Sequence, residues 1–318
     1  MLWIFIGIVA LLAAAVLLTC YICYRLAFHV PPRDTETAWQ EEVELPHGKV
    51  YEPHWETMRR WMDEARQMPY EELSVRSFDG LTLYARYYEY APGAPIELMF
   101  HGYRGNAERD LCGGVQRCFA MKRSALVVDQ RASGSSEGKV ITFGVKEHKD
   151  CLKWVAFMTE HFGPDVKIIL TGISMGASTV LIAASAPLPP QVQGVLADCG
   201  FTSAKAIMYK VLRQINLPPK IVYPFVRLGA ILYGGFDPER YSAIDSVTRV
   251  TVPTIFFHGD HDDYVPWEMS QENYNACTSR KELVIIPGAG HGLSFPVDKP
   301  TYLKALGDFF GPELSAKE

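Results

Sequence analysis

The 318-residue chain has no run of lysine and arginine, and its formal net charge is −5. Proteins that neutralise phosphates need a clustered basic surface, so nucleic acid is excluded as the main partner. Cysteine is sparse: Cys20 and Cys23 fall in or at the end of an apolar N-terminus. The other five, Cys112, Cys118, Cys151, Cys199 and Cys277, are an odd number without framework spacing. That excludes a disulfide scaffold, and we expect mostly core thiols. No CxxC or HxxxH pair lies outside the N-terminal segment, which argues against bound zinc. With 48% hydrophobic and 21% charged residues, the chain is neither disordered nor collagen-like.

Charge is also missing from the start of the chain, where the first charged side chain is Arg25. As a helix, 24 residues span roughly 36 Å, enough to cross a ~30 Å hydrocarbon core. A cleaved signal peptide would have a basic leading region, a shorter apolar stretch and a small-x-small cleavage site. Here the run ends in Tyr24-Arg25-Leu26-Ala27-Phe28-His29. We therefore expect residues 1–24 to be an uncleaved, single-pass membrane anchor. Arg25 and Arg33 follow the span and no basic residue precedes it, so the positive-inside rule puts the catalytic part in the cytoplasm.

Residues 25–52, with Pro31-Pro32, acids including Glu41, Glu42 and Glu44, and Pro46-His47-Gly48, read as a linker. A single domain then fills 53–318. Trp55, Met58, Met62 and Ala65 predict a short amphipathic helix. Apolar runs predict strands over 73–78, 81–89, 96–100, 125–129, 166–172, 192–198, 252–258 and 283–286. Helical patterns separate most of them. Strands that alternate with helices imply a mostly parallel sheet covered on both faces, with chemistry at the carboxyl ends of its strands. A helical insert at about 201–241 interrupts the rhythm, and we expect it to cap the pocket.

After the strand ending near Thr171 comes Gly172-Ile173-Ser174-Met175-Gly176 and a helix of small residues. A serine on so tight a strand–turn–helix junction projects its hydroxyl, and the N–H of Met175 points to where an oxyanion would form. The pentapeptide alone is weak, since Gly134-Ser135-Ser136-Glu137-Gly138 also matches it. No helix start follows Ser136, so we read it as a loop residue.

A nucleophilic serine needs a base and an acid to orient that base. Of nine histidines, His291 lies on a Gly-rich loop just past the last predicted strand and is the candidate base, with His261 second. His101 and His258 begin post-strand loops and read as structural, while His148 and His161 sit on a predicted helix where solvation is the default. Asp260, Asp262 and Asp263 all follow the penultimate strand, and spacing alone leaves the acid open among them. The loop His101-Gly102-Tyr103 offers Tyr103 N–H as a second oxyanion donor.

From about Leu73 to Phe310 the chain resembles the α/β-hydrolase superfamily. Asp129-Gln130-Arg131-Ala132-Ser133-Gly134-Ser135-Ser136 is similar to its D-x-R-G-x-G-x-S loop, with Ala132 in place of a glycine. His258-Gly259-x-x-Asp262-x-x-Val265-Pro266 is similar to its acid loop, which makes Asp262 the acid. The anchor and the Asp198-Cys199-Gly200-Phe201-Thr202-Ser203 segment resemble bacterial membrane-anchored, lysophospholipase-like hydrolases. The resemblance implies an α/β-hydrolase fold and cofactor-free cleavage of a small-molecule ester or thioester, with a lipid-like acyl group, by Ser174, His291 and Asp262. Tyr103 and Met175 would form the oxyanion hole. Two alternatives are a serine peptidase of the prolyl oligopeptidase type, whose large N-terminal domain has no room in ~30–70, and a binding protein without turnover.

Overall fold

In a computed structural model, which describes residues 1–31, 44–46 and 48–314, eight strands form one sheet. They are β1 (Glu71–Arg76), β2 (Thr82–Tyr88), β3 (Ile96–Phe100), β4 (Ser124–Val128), β5 (Ile168–Ile173), β6 (Val192–Asp198), β7 (Thr254–Gly259) and β8 (Lys281–Ile286). Their order is β1-β2-β4-β3-β5-β6-β7-β8. The β1/β2 and β2/β4 pairs are antiparallel and all others parallel. This is the expected mostly parallel α/β sheet, and every strand read from the sequence is present.

Burial explains why those strands were legible. Every residue of β3, β4 and β7 is buried, because helices cover both faces and the runs are therefore mostly apolar. Edge strand β1 instead alternates, with Leu73 and Val75 inward. After the N-terminal α1 (Leu2–Ala27), α2 (Trp55–Gln67) and α3 (Ala107–Ala120) pack on one face. They meet Ala125, Val127, Ile169 and Leu196 there. On the other face, α4 (Glu147–His161) and α5 (Met175–Ala183) meet Leu98, Phe100, Leu126 and Val128.

A cluster of buried charge sits against β3. Glu97 on β3 is fully buried and bonds Arg117 of α3 at 2.6 Å, Arg123 at 2.9 Å and the Thr171 hydroxyl at 3.1 Å. Burial alone would raise its pKa, but the two guanidiniums overcome that and hold it at about 2.

The insert after β6 contains α6 (Ala204–Gln214) and α7 (Pro219–Gly229), followed by a π-helical turn over Ala230–Gly234. The Ser203 hydroxyl caps α6 by accepting the Ala206 N–H at 3.1 Å, and Pro219 opens α7. Short α8 (Ala243–Ser246) returns the chain to β7, and α9 (Glu268–Ala276) leads to β8. Then α10 (Ser294–Val297) and α11 (Lys299–Phe310) close the fold, α11 joining the α2 face.

The last turns of α1 belong to this body. Cys20, Tyr24 and Phe28, four residues apart and so on one helix face, are buried while most of the helix before them is exposed. A Cβ on Gly229 of α7 would lie 2.3 Å from the Cys20 carbonyl oxygen, so the two helices touch at backbone distance. Phe28 stacks edge-on against Phe236 and Phe143. Its carbonyl accepts the Ile141 N–H at 2.9 Å, and the Val30 N–H donates to Lys139 O at 2.9 Å. The segment read as a linker, 25–52, lies partly outside the described residues, and its described ends are packed, with Leu45 buried beside α2.

Candidate active site

β5 runs into α5 through Ser174, whose φ of 56° and ψ of −117° are costly for a residue with a side chain. The flanking glycines make this turn possible. A Cβ on Gly172 would stand 2.2 Å from the Gly176 backbone, and one on Gly176 would stand 2.0 Å from Phe100 O. The Ser174 N–H is held by Asp198 O at 2.8 Å. All nine residues of α5 are buried, so the helix under the serine cannot shift.

The Ser174 hydroxyl donates to His291 Nε2 at 2.9 Å, and His291 Nδ1–H donates to Asp262 Oδ2 at 2.7 Å. Asp262 Oδ1 accepts the N–H groups of Tyr264 and Val265, each at 2.8 Å. A second histidine completes the shell. His258 Nε2 faces Asp262 Oδ2 at 3.1 Å and Val265 O at 2.9 Å, both acceptors, so this nitrogen carries the proton. The Ser270 hydroxyl then donates to His258 Nδ1 at 2.7 Å. Burial works to raise the Asp262 pKa, but hydrogen bonds from His258 and His291 hold it well below the carboxylate range.

The His101-Gly102-Tyr103 loop lies across from Ser174, with a Cβ on Gly102 falling 3.5 Å from the Ser174 Cβ. His101 Nδ1–H donates to Gly102 O at 2.8 Å, and its Nε2 accepts the Gln130 N–H at 3.0 Å. Burial lowers the pKa of this imidazole, in keeping with a neutral ring. The Gly102 N–H donates to Asp110 Oδ2 at 3.0 Å. Met175 opens α5, so its N–H is one of the helix's orphan donors. Tyr103, Ser174, Ile173, Tyr264 and His291 line one cavity of about 220 Å³.

The sequence profile of the prolyl oligopeptidase family matches residues 142–317, more than half of the chain. The chain belongs to that family. Ser174, Asp262 and His291 all lie inside the matched region, and the α/β-hydrolase superfamily expected from the motifs is the one this prolyl oligopeptidase family member falls in. Curated relatives include the uncharacterized protein YqkD of Bacillus subtilis, 27% identical over 58% of this chain and 61% of the relative. The chain thus spans less than two thirds of that protein. Another is the uncharacterized Rv2307c of Mycobacterium tuberculosis, 23% identical over 75% of this chain and 78% of the relative. Among solved structures, the Pyrococcus furiosus esterase Pf2001 superposes with a TM-score of 0.64 at 20% identity, covering 85% of this chain and 97% of its own. Est1E of Butyrivibrio proteoclasticus, solved with ferulic acid, gives 0.57 at 21% identity over 74% and 97%. At such identities the likeness concerns the fold.

In this prolyl oligopeptidase family member the remaining sequence candidates fall outside the cluster. Asp260 accepts the Gly288 N–H, His261 is exposed, and the Asp263 carbonyl accepts from Gln214 at 2.9 Å. Ser136 is buried, donating to Asp129 O at 2.5 Å and accepting the Tyr84 N–H at 2.9 Å. One histidine departs from expectation. His148 is buried rather than solvated, because its Nδ1 reaches Gly144 O at 2.8 Å and its ring packs on Tyr241. Two neighbours of the site were not foreseen there. His258 was read as structural without its Asp262 partner. Cys199, at φ 48°, offers a sulfur within 4.8 Å of Asp262 and His291 ligand atoms, although no sequence spacing links the three. Burial raises the Cys199 thiol well above its ordinary pKa, so it packs as a neutral group.

Proposed function

We propose that this chain is a serine hydrolase of carboxylic esters or thioesters acting through an acyl-enzyme. The observation that carries the reading is the continuous relay from the strained Ser174 through His291 to Asp262, at 2.9 and 2.7 Å. His291 takes the Ser174 proton as Oγ attacks the ester carbonyl, and Asp262 keeps the imidazole in the tautomer that can accept it. The Tyr103 and Met175 N–H groups hold the tetrahedral oxyanion. His291 then protonates the leaving alcohol or thiol, and later deprotonates the water that releases the acid. The proton taken from water returns to Ser174 Oγ as the acid leaves, so His291 handles every proton transfer and the mechanism calls for no metal or organic cofactor.

The long apolar α1 supports a membrane-bound enzyme. An uncleaved anchor is favoured by the burial of Cys20 and Tyr24, since cleavage behind the apolar run would strip those contacts from the domain. Arg25 and Arg33 favour a cytoplasmic catalytic domain.

The test is hydrolysis of p-nitrophenyl acetate through palmitate by the full chain in detergent, beside Ser174→Ala. We expect turnover that falls at least a thousandfold in the variant. Family membership favours one other reading, peptide hydrolysis. Release of p-nitroaniline from peptidyl anilides with no turnover of any ester would replace the ester reading with that one.

A further inference from the structure

A second cavity, of about 270 Å³, lies beside the serine cavity and has an almost wholly apolar lining that includes Ala27, Ile207, Val211, Val222 and Val226. Tyr103 and Tyr264 line both cavities, which makes them the partition we assign between the two. The Tyr264 ring centroid is 5.1 Å from that of His291. The Tyr103 hydroxyl donates to Ala27 O at 2.8 Å, which ties this partition to the end of α1.

The mouth of the second cavity is apolar too. Leu26, Ile215 and Leu217 line it while being 72%, 58% and 42% exposed. Next to the mouth, α7 and the turn after it present Ile221, Leu228, Ile231, Leu232 and Tyr233 to the outside. This patch runs into α1, because Tyr233 packs edge-on against Tyr21 and its hydroxyl donates to Leu17 O at 3.2 Å. A contiguous apolar surface of this kind marks a partner or a membrane. Here it is continuous with a helix long and apolar enough to span a bilayer. The elements framing the mouth also carry exposed cations near one end, Arg25 in the last turn of α1, Arg213 in the last turn of α6 and Lys220 in the first turn of α7, as interfacial segments that meet lipid headgroups do.

We propose that the last turns of α1 are a wall of the acyl site, and that this cavity takes the fatty acyl chain of an ester lipid directly from the bilayer holding α1. The α6–α7 face rests in the interfacial layer and the chain enters between Leu26 and Ile215. It passes the Tyr103–Tyr264 partition, which leaves its ester carbonyl at Ser174. The proposal rests on the ester-hydrolase reading for the position of the carbonyl, but the cavity's occupant can be tested without turnover.

The full chain carrying Ser174→Ala is placed in phosphatidylcholine vesicles doped with a palmitoyl ester bearing a terminal diazirine, then irradiated. Adducts are expected on peptides containing residues 23–27 and 207–215. Val211→Trp, which fills the cavity, is expected to cut them at least tenfold. Ile215→Trp at the exposed rim does the same should Val211→Trp not fold. In the Ser174-containing chain, the same two substitutions are expected to lower the palmitate-to-acetate ratio of kcat/KM at least tenfold. Adducts confined to residues 2–18, or adducts on 207–215 that survive both substitutions, overturn the proposal whether or not esters are hydrolysed. Expected adducts in a chain that hydrolyses no ester retain the acyl site and overturn only the ester reading.

Discussion

Gly176 and Gly229 each let a backbone carbonyl stand where a side chain would be, yet they lie in regions built differently. At Gly176 the missing Cβ would sit 2.0 Å from Phe100 O, and at Gly229 it would sit 2.3 Å from Cys20 O. Phe100 ends β3, whose ladders to β4 and β5 fix it on both sides, while Gly176 lies in a helix with every residue buried. Cys20 and Gly229 belong to two helices that meet along one seam, and α7 shows exposed Ile221 and Leu228 on its outer face. In the first region position is set by a hydrogen-bonded lattice. In the second it is set by side-chain packing between two helices. The serine is held by the first kind of structure and the proposed acyl wall by the second.

Gly176→Ala tests the lattice and should have the largest effect. Neither Phe100 O nor the start of α5 can retreat without breaking β3 pairing or displacing Ser174. Overpacking usually costs ~1–3 kcal/mol, and a contact with fixed backbone falls at or beyond that limit. We expect little folded protein on expression, and no reactive-serine labelling of what is recovered.

Gly229→Ala is the matched probe of the helix–helix seam. The new methyl should push α1 and α7 apart by a fraction of an ångström, with loss of part of the Tyr24 and Phe28 packing, at about 1–2 kcal/mol. Urea unfolding in detergent should register that loss while acetate-ester turnover persists. A failure to fold equal to that of Gly176→Ala would mean that the α1–α7 seam is as rigid as the sheet.

The same contrast decides what could be read from the sequence. The central strands were legible because parallel strands buried on both faces are nearly all apolar, and edge strand β1 because it alternates; turn residues bound them. The elbow was legible because its glycines are forced by contacts within five residues and with β3. The choice among Asp260, Asp262 and Asp263 was not fixed by spacing, since it depends on where the loop turns each carboxylate; only Asp262 meets His291 among the described residues. Packing of the end of α1 was hidden for another reason. A helix apolar all round has no polar face to mark which side meets protein, so the Cys20–Tyr24–Phe28 stripe carries no contrast against its neighbours. The approach of Cys199 to His291 joins segments about ninety residues apart, and no local pattern encodes it.

Ala132→Gly should have the smallest effect, and its sign shows which of three terms prevails. This residue replaces the glycine of the resembling loop and adopts φ 61°, where a Cβ costs about 1 kcal/mol. Glycine would remove that strain but also free the unfolded chain, which returns a few tenths of a kcal/mol or more. It would remove a buried methyl as well, worth up to ~0.8 kcal/mol. That methyl lies in the cluster of Phe143, Tyr24, Phe28 and Phe236, where the end of α1 meets the insert after β6. The terms nearly cancel, so urea unfolding should move by less than about 0.5 kcal/mol. A clear stabilisation would mean that the methyl contributes little to the cluster holding α1. A destabilisation beyond 1 kcal/mol would mean that alanine stands there because the α1 seam needs its packing.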